Sequence, residues 1–402
     1  MIEGLLWGSL LLLAYTYAGY PVLIAAWAAF RPNPPRRGAV EPTVSVVVVA
    51  HDEAAQVAAR LENLLALHYP AERREIVLAS DGSTDDTVAI ARGFEAAGVV
   101  VRAFPDRRGK AAVLNEVVPQ AKGEVVVLGD CRQRFEPAAL RALVGCFADP
   151  AVGAVSGELV LAGDESGVGE GVGFYWRYEK FLRIRESCVD STVGATGAIY
   201  AIRKQGFEPI PPDTLLDDVL IPMRIVRQGE RSIFERAAVA HDRVSTRAEE
   251  EFTRKVRTIA GNFQLFAHHP WLLSPARNRL WLQTWSHKVL RLVSPMLLFV
   301  ALAASAARID QPAGRWLFTL QVSFYAVAAL GWGLGRSRSR VPLLGIPYVF
   351  CLLNWTTVVA FWRFVTRRQR VTWARSVLPP DLPPTEPTRG GESKPYVSGE
   401  AR

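Results

Sequence analysis

The sequence predicts an α/β domain with a Rossmann-like, mostly parallel sheet, combined with α-helical transmembrane segments. Between about residues 38 and 265, short β-branched runs alternate with segments of helical periodicity, which is the pattern of βαβ units. One long uncharged stretch precedes this region and about three follow it, each near the length that a membrane helix needs. Polar residues cluster where the predicted strands end, which is where ligands bind in open α/β sheets.

The composition excludes several classes of protein. Half of the 402 residues are hydrophobic and 21% are charged, so the chain is too apolar for a disordered protein and carries less charge than most soluble domains. The net charge is +8. Because the arginines cluster beside the apolar stretches, membrane orientation and anionic lipid headgroups explain that charge, and no nucleic-acid partner is predicted. The four cysteines show no metal-ligand spacing, which predicts reduced thiols.

The first apolar stretch, Gly4–Phe30, contains no charged residue and is long enough to cross a bilayer. Its many aromatic residues and the acidic Glu3 before it are unusual for a cleaved signal peptide. The sequence therefore predicts an uncleaved transmembrane helix over residues 1–30. Three arginines follow among prolines, so the positive-inside rule places the next region in the cytoplasm.

About three membrane segments are predicted near the other end, within residues 288–365. They are Leu292–Ala307, Trp316–Gly335 and Val341–Trp362, none of which contains a charge. Three full crossings would place the arginines after Trp362 outside, against the positive-inside rule. We therefore expect one segment to be re-entrant or interfacial, and Val341–Trp362 is the first candidate because two prolines lie near its start.

Two further segments flank these spans. Residues 266–287 combine tryptophans with arginines, which predicts an amphipathic segment in the membrane interface. Residues 366–402 are basic at first and then rich in Pro, Glu, Thr and Gly, so this tail is expected to be disordered.

Four strands are predicted in the polar region, and each is a short apolar run typical of a parallel strand covered on both faces. Helical segments between them begin near Glu53, Asp85 and Lys110. The predicted strands are Ser45–Ala50, Glu75–Ala79, Val99–Val101 and Val125–Leu128.

Distinctive polar residues follow three of these strands. His51 and Glu53 come after the first, Asp81 after the second and Asp130 after the fourth. Because the carboxyl ends of parallel strands meet at one edge, a ligand site is predicted there. Neither the dinucleotide-binding glycine pattern nor the P-loop occurs, so an oxidoreductase or a P-loop ATPase has no motif support.

Five motifs occur in order between Thr43 and Asn262. They are Ala-His-Asp-Glu, Ala-Ser-Asp-Gly-Ser-Thr-Asp, Gly-Lys-Ala with Leu-Asn, Gly-Asp-Cys-Arg and Thr-Leu-Leu-Asp-Asp, which begin at residues 50, 79, 109, 129 and 214. With them the chain resembles the membrane-embedded family 2 glycosyltransferases, the group that includes cellulose, hyaluronan and poly-N-acetylglucosamine synthases. The resemblance implies a GT-A fold and an inverting transfer of sugar from a nucleotide diphosphate donor.

The resemblance also implies which residues bind the donor. His51 stands where an aromatic residue lines the uridine pocket; the alternative is a histidine that merely opens a helix. Asp81 would contact the uracil, although its neighbours Ser83 and Thr84 are equally explained as helix caps. Glu53 belongs to the same pocket. Lys110 would face the diphosphate from a helix N-terminus, where cation and N–H donors converge. The implied donor is a UDP-sugar.

The implied metal motif is altered. Asp130 matches the first carboxylate of the family's Asp-x-Asp, but Arg132 occupies the place of the second. Two alternatives follow. Asp130 holds Mg²⁺ or Mn²⁺ together with water and phosphate, or Arg132 pairs with the phosphate directly. His241 is a possible distal ligand, but a lone histidine is more often structural.

The implied catalytic base is Asp218, with Asp217 in the place of the family's glutamate. An inverting displacement needs such a group, because the acceptor hydroxyl loses its proton as it attacks the sugar. Thr196 and Gly197 lie in a small-residue loop that the family places beneath the acceptor. Glycine there permits close approach of a sugar.

The last motif departs from that of the polymer-forming enzymes, which usually show Gln-x-x-Arg-Trp. Arg257 is kept, whereas Arg254 and Thr258 replace the glutamine and the tryptophan. Loss of the tryptophan removes a sugar-stacking platform, which weakens the case for a cellulose-like polymer. Arg254 and Arg257 are instead expected to contact a diphosphate of the donor or of a lipid carrier.

Together these observations predict a multi-pass enzyme of the bacterial inner membrane with its catalytic domain in the cytoplasm. It would add sugar to a polysaccharide or a lipid-linked acceptor in cell-envelope assembly, with an oligomer or export partner completing any pore. The alternative is a non-catalytic nucleotide-sugar sensor or scaffold. A sensor needs no base, so replacing Asp218 by Asn would leave its function intact.

Overall fold

The computed structural model describes residues 1–162, 169–243, 248–334 and 342–369. The strands are β1 Val44–Ala50, β2 Arg74–Asp81, β3 Val99–Phe104, β4 Val125–Asp130, β5 Arg134–Phe135, β6 Val152–Ala162, β7 Tyr200–Arg203 and β8 Arg231–Arg243. The helices are α1 Ile2–Ala14, α2 Tyr20–Phe30, α3 Ala54–Leu65, α4 Thr87–Arg92, α5 Lys110–Gln120, α6 Ala139–Gly145, α7 Gly169–Val189, α8 Asp217–Arg227, α9 Ala248–His268, α10 Trp281–Gln283, α11 Leu290–Ala306, α12 Pro312–Gly333 and α13 Pro342–Val365.

The strands form one mixed sheet in the order β3-β2-β1-β4-β7-β6-β8-β5. The first four are mutually parallel, so the predicted strands and their parallel pairing are confirmed. Strand β7 is antiparallel to β4 and β6, while β6 and β8 run parallel. The carboxyl ends of β1, β2 and β4 therefore lie at one edge of the sheet. They are next to the boundary between the parallel strands β1–β4 and the mixed strands β5–β8.

The apolar sequence of the central strand β1 follows from its burial on both faces of the sheet. All seven of its residues are buried. Val46 and Val48 pack with α3 on one face of the sheet. Val47 and Val49 pack with α5 and α8 on the other. Since both faces are covered, valines occupy the consecutive positions Val46–Val49 rather than alternate ones.

Four helices are long and apolar enough to cross a membrane: Ile2–Phe30, Trp281–Ala306, Pro312–Gly333 and Leu344–Val365. This agrees with one span before and about three after the polar region. Helix α13 is continuous over 24 residues, and whether it crosses the membrane fully stays a prediction. The side of the membrane on which each end lies remains a prediction. Most of the tail, residues 370–402, lies outside the described residues.

Two of these spans contain a π-helical segment, Tyr15–Gly19 in the first and Thr284–Val289 in the second. The segments meet, because the Tyr15 hydroxyl lies 2.8 Å from the Ser286 hydroxyl. The second span begins at Trp281, inside the predicted interfacial segment 266–287, whose position in the membrane stays a prediction.

Helix α7 joins the sheet domain to the membrane helices, since it packs against both α2 and α13. A buried polar network crosses this junction. The His287 ring places Nε2 2.9 Å from Glu179 and Nδ1 2.8 Å from Glu186. Tyr20 donates a 2.6 Å hydrogen bond to Glu186, and Arg291 pairs with Glu179. We call these five residues the junction network.

Candidate active site

The site lies where β1, β2 and β4 end and where α8 begins. Its centre is Lys110, the first residue of α5. The Lys110 ammonium lies 3.0 Å from Asp130 Oδ1 and 3.3 Å from Asp217 Oδ2. Burial alone would lower the pKa of Lys110, but Asp130, Asp217 and Asp218 raise it. Lys110 is therefore a fixed positive charge that holds these acidic residues together.

Asp218 is the carboxylate with the properties of a base. Burial and the neighbouring Asp217 raise the pKa of Asp218 to about 6. The Gly197 N–H donates a 3.0 Å hydrogen bond to Asp218 Oδ2. A Cβ at Gly197 would lie 2.8 Å from that oxygen, so any larger residue would displace the Asp218 carboxylate. The predicted acceptor loop and the predicted base are thus in direct contact.

Asp217 has a different environment from Asp218. It is buried, and its Oδ2 accepts a 3.2 Å hydrogen bond from the Tyr200 hydroxyl in addition to the Lys110 contact. Asp217 therefore orients Lys110 and is not available to an acceptor. Tyr200 is fully buried and was not identified from the sequence. The only available signal was an aromatic hydroxyl within an apolar strand, which requires a partner when buried.

Asp81 is buried, and both of its carboxylate oxygens accept backbone hydrogen bonds. The Arg108 N–H donates at 2.7 Å and the Gly109 N–H at 2.8 Å. His51 Nδ1 lies 2.7 Å from the Asp81 carbonyl oxygen. Asp81 therefore fixes the loop that presents Lys110. The uracil contacts implied for Asp81 and His51 remain predictions.

Gly82 is required at the turn after β2, because its φ is +63° and a Cβ there would lie 2.5 Å from the Arg107 nitrogen. We expect Gly82→Ala to lower the free energy of unfolding by about 2 kcal/mol, through backbone strain and displacement of the loop held by Asp81. Gly98→Ala is the matched control, since φ is +91° there but nothing lies within 4 Å. Equal losses of melting temperature in detergent would contradict the steric argument.

Glu53 and Arg132 lie beside Asp130. Burial and Asp130 raise the pKa of Glu53 to about 7. The Arg132 guanidinium lies 3.1 Å from Asp242 Oδ2. Arg132 is thus oriented by an internal acid at the position where the family has its second metal ligand.

The residues present fit a divalent cation only with help from the substrate. Within the described parts of the chain, no group of three or more His, Cys, Asp or Glu could hold a metal ion. His241 instead places Nε2 2.9 Å from Glu136. Asp130 is partly exposed, and Lys110 and Arg132 lower its pKa against the effect of burial. One ionised carboxylate plus diphosphate oxygens and water is a common donor set for Mg²⁺.

Helix α9 brings Arg257 to the same cluster. Burial lowers the pKa of Arg257, while Asp217, Asp130 and Asp218 act in the opposite direction. The Arg254 carbonyl accepts a hydrogen bond from Thr258 one turn later on the helix. A diphosphate contact for Arg254 or Arg257 stays a prediction.

The acceptor loop also borders a cavity of about 240 Å³. Thr196 receives hydrogen bonds at its hydroxyl from Ser156 and from Arg183 of α7. The Thr196 N–H donates to the Ser156 hydroxyl at 2.9 Å. Arg183 was not identified from the sequence, because α7 shows no amphipathic pattern that would mark one face as functional.

Residues 45–209 match the profile of glycosyl transferase family 2. A beta-monoglucosyldiacylglycerol synthase of Synechocystis sp. is 30% identical over 169 residues, which are 41% of this chain and 34% of that protein. A poly-beta-1,6-N-acetyl-D-glucosamine synthase of Staphylococcus aureus is 29% identical over 116 residues, 28% of each chain. The chain thus spans about a third of the length of the curated relatives it matches.

The mannosyltransferase PcManGT from Pyrobaculum calidifontis, solved in complex with GDP-Man and Mn²⁺, superimposes with a TM-score of 0.70. It is 22% identical and covers 92% of this chain and 100% of its own. The fold is therefore that of the GT-A glycosyltransferases, as the motifs implied. The matched profile covers the first part of this domain, from β1 through β7, so sequence and fold both show similarity to family 2 glycosyltransferases.

Proposed function

We propose that the protein is an inverting glycosyltransferase that moves a sugar from a nucleotide diphosphate donor, in particular a UDP-sugar, to a membrane-bound acceptor. The acceptor is a polysaccharide or a lipid-linked molecule at the cytoplasmic face of a bacterial inner membrane. The observation that carries the proposal is the pairing of Asp218 with Gly197. A half-buried carboxylate with a pKa of about 6 lies against a glycine loop that a sugar hydroxyl can approach.

Each charged side chain then has one task. Asp218 accepts the proton of the acceptor hydroxyl as that oxygen forms its bond to the donor's anomeric carbon. Lys110, kept protonated by the carboxylates around it, faces the diphosphate that leaves. Asp217 positions the Lys110 side chain by direct contact, and Asp81 positions the backbone loop that precedes Lys110. Because these groups are held in place before the reaction, little reorganisation is needed during it.

Asp130 would hold a divalent cation together with the donor's phosphate oxygens. When bound, that cation neutralises charge on the diphosphate leaving group. Arg132 contributes a second positive charge from its place beside Asp242. The single protein carboxylate predicts weak binding of the cation without donor and tighter binding with it.

A donor panel tests this proposal. Protein purified in detergent is mixed with UDP- and GDP-sugars and membrane lipid extract, in Mg²⁺, in Mn²⁺ or in EDTA, and nucleotide diphosphate release is measured. We expect turnover with one UDP-sugar, at least tenfold slower in EDTA and restored by excess cation. Donor binding without turnover under any condition would contradict the proposed function. Undiminished turnover in EDTA would refute only the proposal that Asp130 holds a cation, and the proposed transfer reaction would stand.

A further inference from the structure

The cavity beside the acceptor loop lies between strand β6 and helix α7. Its walls include Leu161 of β6, Trp176 and Arg183 of α7, and Thr196 of the loop. Thr196 directly precedes Gly197, whose N–H contacts the base Asp218. The cavity is therefore adjacent to the reacting centre, on the side opposite the donor residues at the ends of β1 and β2.

Positive charge exceeds negative charge among the side chains that line this cavity. Its two acidic side chains already have cationic partners, since Glu158 pairs with Lys180 and Glu179 with His287 and Arg291. Among the described residues, Arg183 has no carboxylate partner, and its guanidinium bonds to the neutral hydroxyl of Thr196. Arg177 of α7 also lines the cavity. The cavity thus presents positive charge that the described protein residues do not neutralise.

The cavity also lies beside the first candidate membrane helix. Helix α7 carries Arg183 on one side, while the adjacent Leu182 packs with Tyr20 and Ile24 of the first membrane helix. The remaining lining is largely apolar, with Leu159, Val160, Leu161 and Phe234 on the sheet side. A half-apolar, positively charged cavity at this position suits an amphiphile better than a free sugar chain.

We propose that this cavity binds the phosphate of an anionic membrane lipid whose headgroup hydroxyl is the acceptor, with Arg183 as the phosphate ligand. This inference rests on the proposed function and narrows its acceptor class. The phosphate is a ligand and not the nucleophile, because a phosphate oxygen would need no base such as Asp218. The hydroxyl forms the new bond to the sugar, its proton goes to Asp218, and the nucleotide diphosphate leaves.

The test compares three short-chain lipids as acceptors for the full-length protein in detergent. Phosphatidylglycerol carries a phosphate and a free hydroxyl, diacylglycerol carries a hydroxyl alone, and phosphatidic acid carries a phosphate alone. We expect phosphatidylglycerol to be glycosylated with the highest kcat/KM and phosphatidic acid to act as a competitive inhibitor. Equal turnover of diacylglycerol would overturn the proposal, as would inhibition by inorganic phosphate that is as strong as inhibition by phosphatidic acid.

Arg183→Gln supplies the second arm. We expect the KM for phosphatidylglycerol to rise about tenfold, as loss of a charge-assisted hydrogen bond predicts, while the KM for the donor stays within twofold. Arg183→Lys should recover part of the loss. The matched control is Arg185→Gln on the same helix, where the guanidinium stacks over Phe181 outside the cavity. Equal KM changes in the two glutamine variants would overturn the assignment.

A binding measurement separates this inference from the proposed function. Calorimetric titration of phosphatidylglycerol into Asp218→Asn protein requires no chemistry. We expect binding that is about tenfold weaker when Arg183→Gln is added. If no donor is ever turned over but this binding difference persists, the proposed function fails and the lipid site stands. If turnover occurs but the difference is absent, the lipid site fails.

Discussion

Asp218→Asn will lower kcat by about 10² to 10⁴, the range of a general base, while the affinity for the nucleotide-sugar donor changes little. The reason is that the amide cannot accept the hydroxyl proton, although it keeps the size of the carboxylate. In the wild type, the raised pKa of about 6 means that the base is ionised above that pH and protonated below it. The rate should therefore fall about tenfold per pH unit below pH 6 and level off above it.

The control is Asp213→Asn, which removes a charge from an exposed aspartate just before α8, 3.9 Å from His268. Its kcat should stay within twofold of the wild type. A residual Asp218→Asn activity that keeps the wild-type pH profile would show that another group titrates. Unchanged turnover in Asp218→Asn would show that Asp218 is not the base, whereas donor binding without turnover in the wild type would support the sensor alternative.

His287→Leu will destabilise the protein by about 3 to 5 kcal/mol, because Glu179 and Glu186 would lose a shared partner while remaining buried. The measurement is the melting temperature in detergent. The control His268→Leu removes a half-exposed imidazole from the surface and should cost little. Adding Glu186→Gln to His287→Leu should recover part of the loss, since Glu186 then leaves no unpaired carboxylate while Glu179 keeps Arg291 as its partner. Equal effects of the two histidine variants would contradict the importance of the junction network.

The half of the fold that the sequence predicts is the half with continuous apolar runs. Strand β1 begins and ends within a residue of its predicted bounds because it is covered on both faces. Helix α5 begins at its predicted residue because a sharp glycine turn precedes it. Strands β6 and β8 are longer and mix charged with apolar residues, and their pairing contains register shifts. Neither the parallel-strand pattern nor strict alternation describes them, so periodicity alone did not reveal them.

The candidate site shows the same division. Asp130 was placed at this edge because it follows a parallel strand, whereas Lys110 and Asp218 were assigned through the resemblance. The structure places Lys110 beside Asp130 and within the electrostatic influence of Asp218. The contacts that depend on side chains from distant elements were not foreseen. The residues around Arg183 in the sequence form no motif that marks it as functional. His287 lies within an apolar span, and its two acidic partners are about 100 residues away in the sequence.

The junction network has a consequence for which molecules the enzyme can reach. A short series of contacts runs from the Asp218 carboxylate through the acceptor loop to Arg183 on α7, and from α7 through Glu179 and Glu186 to the span that contains His287. With the apolar helices in a bilayer, as proposed, these contacts would hold Asp218 at a fixed height above the lipid surface. Hydroxyls carried close to the lipid surface come level with it, whereas those at the tip of a long headgroup project past it. Acceptor choice would then depend on how far a hydroxyl stands above the lipid surface as well as on the shape of the headgroup.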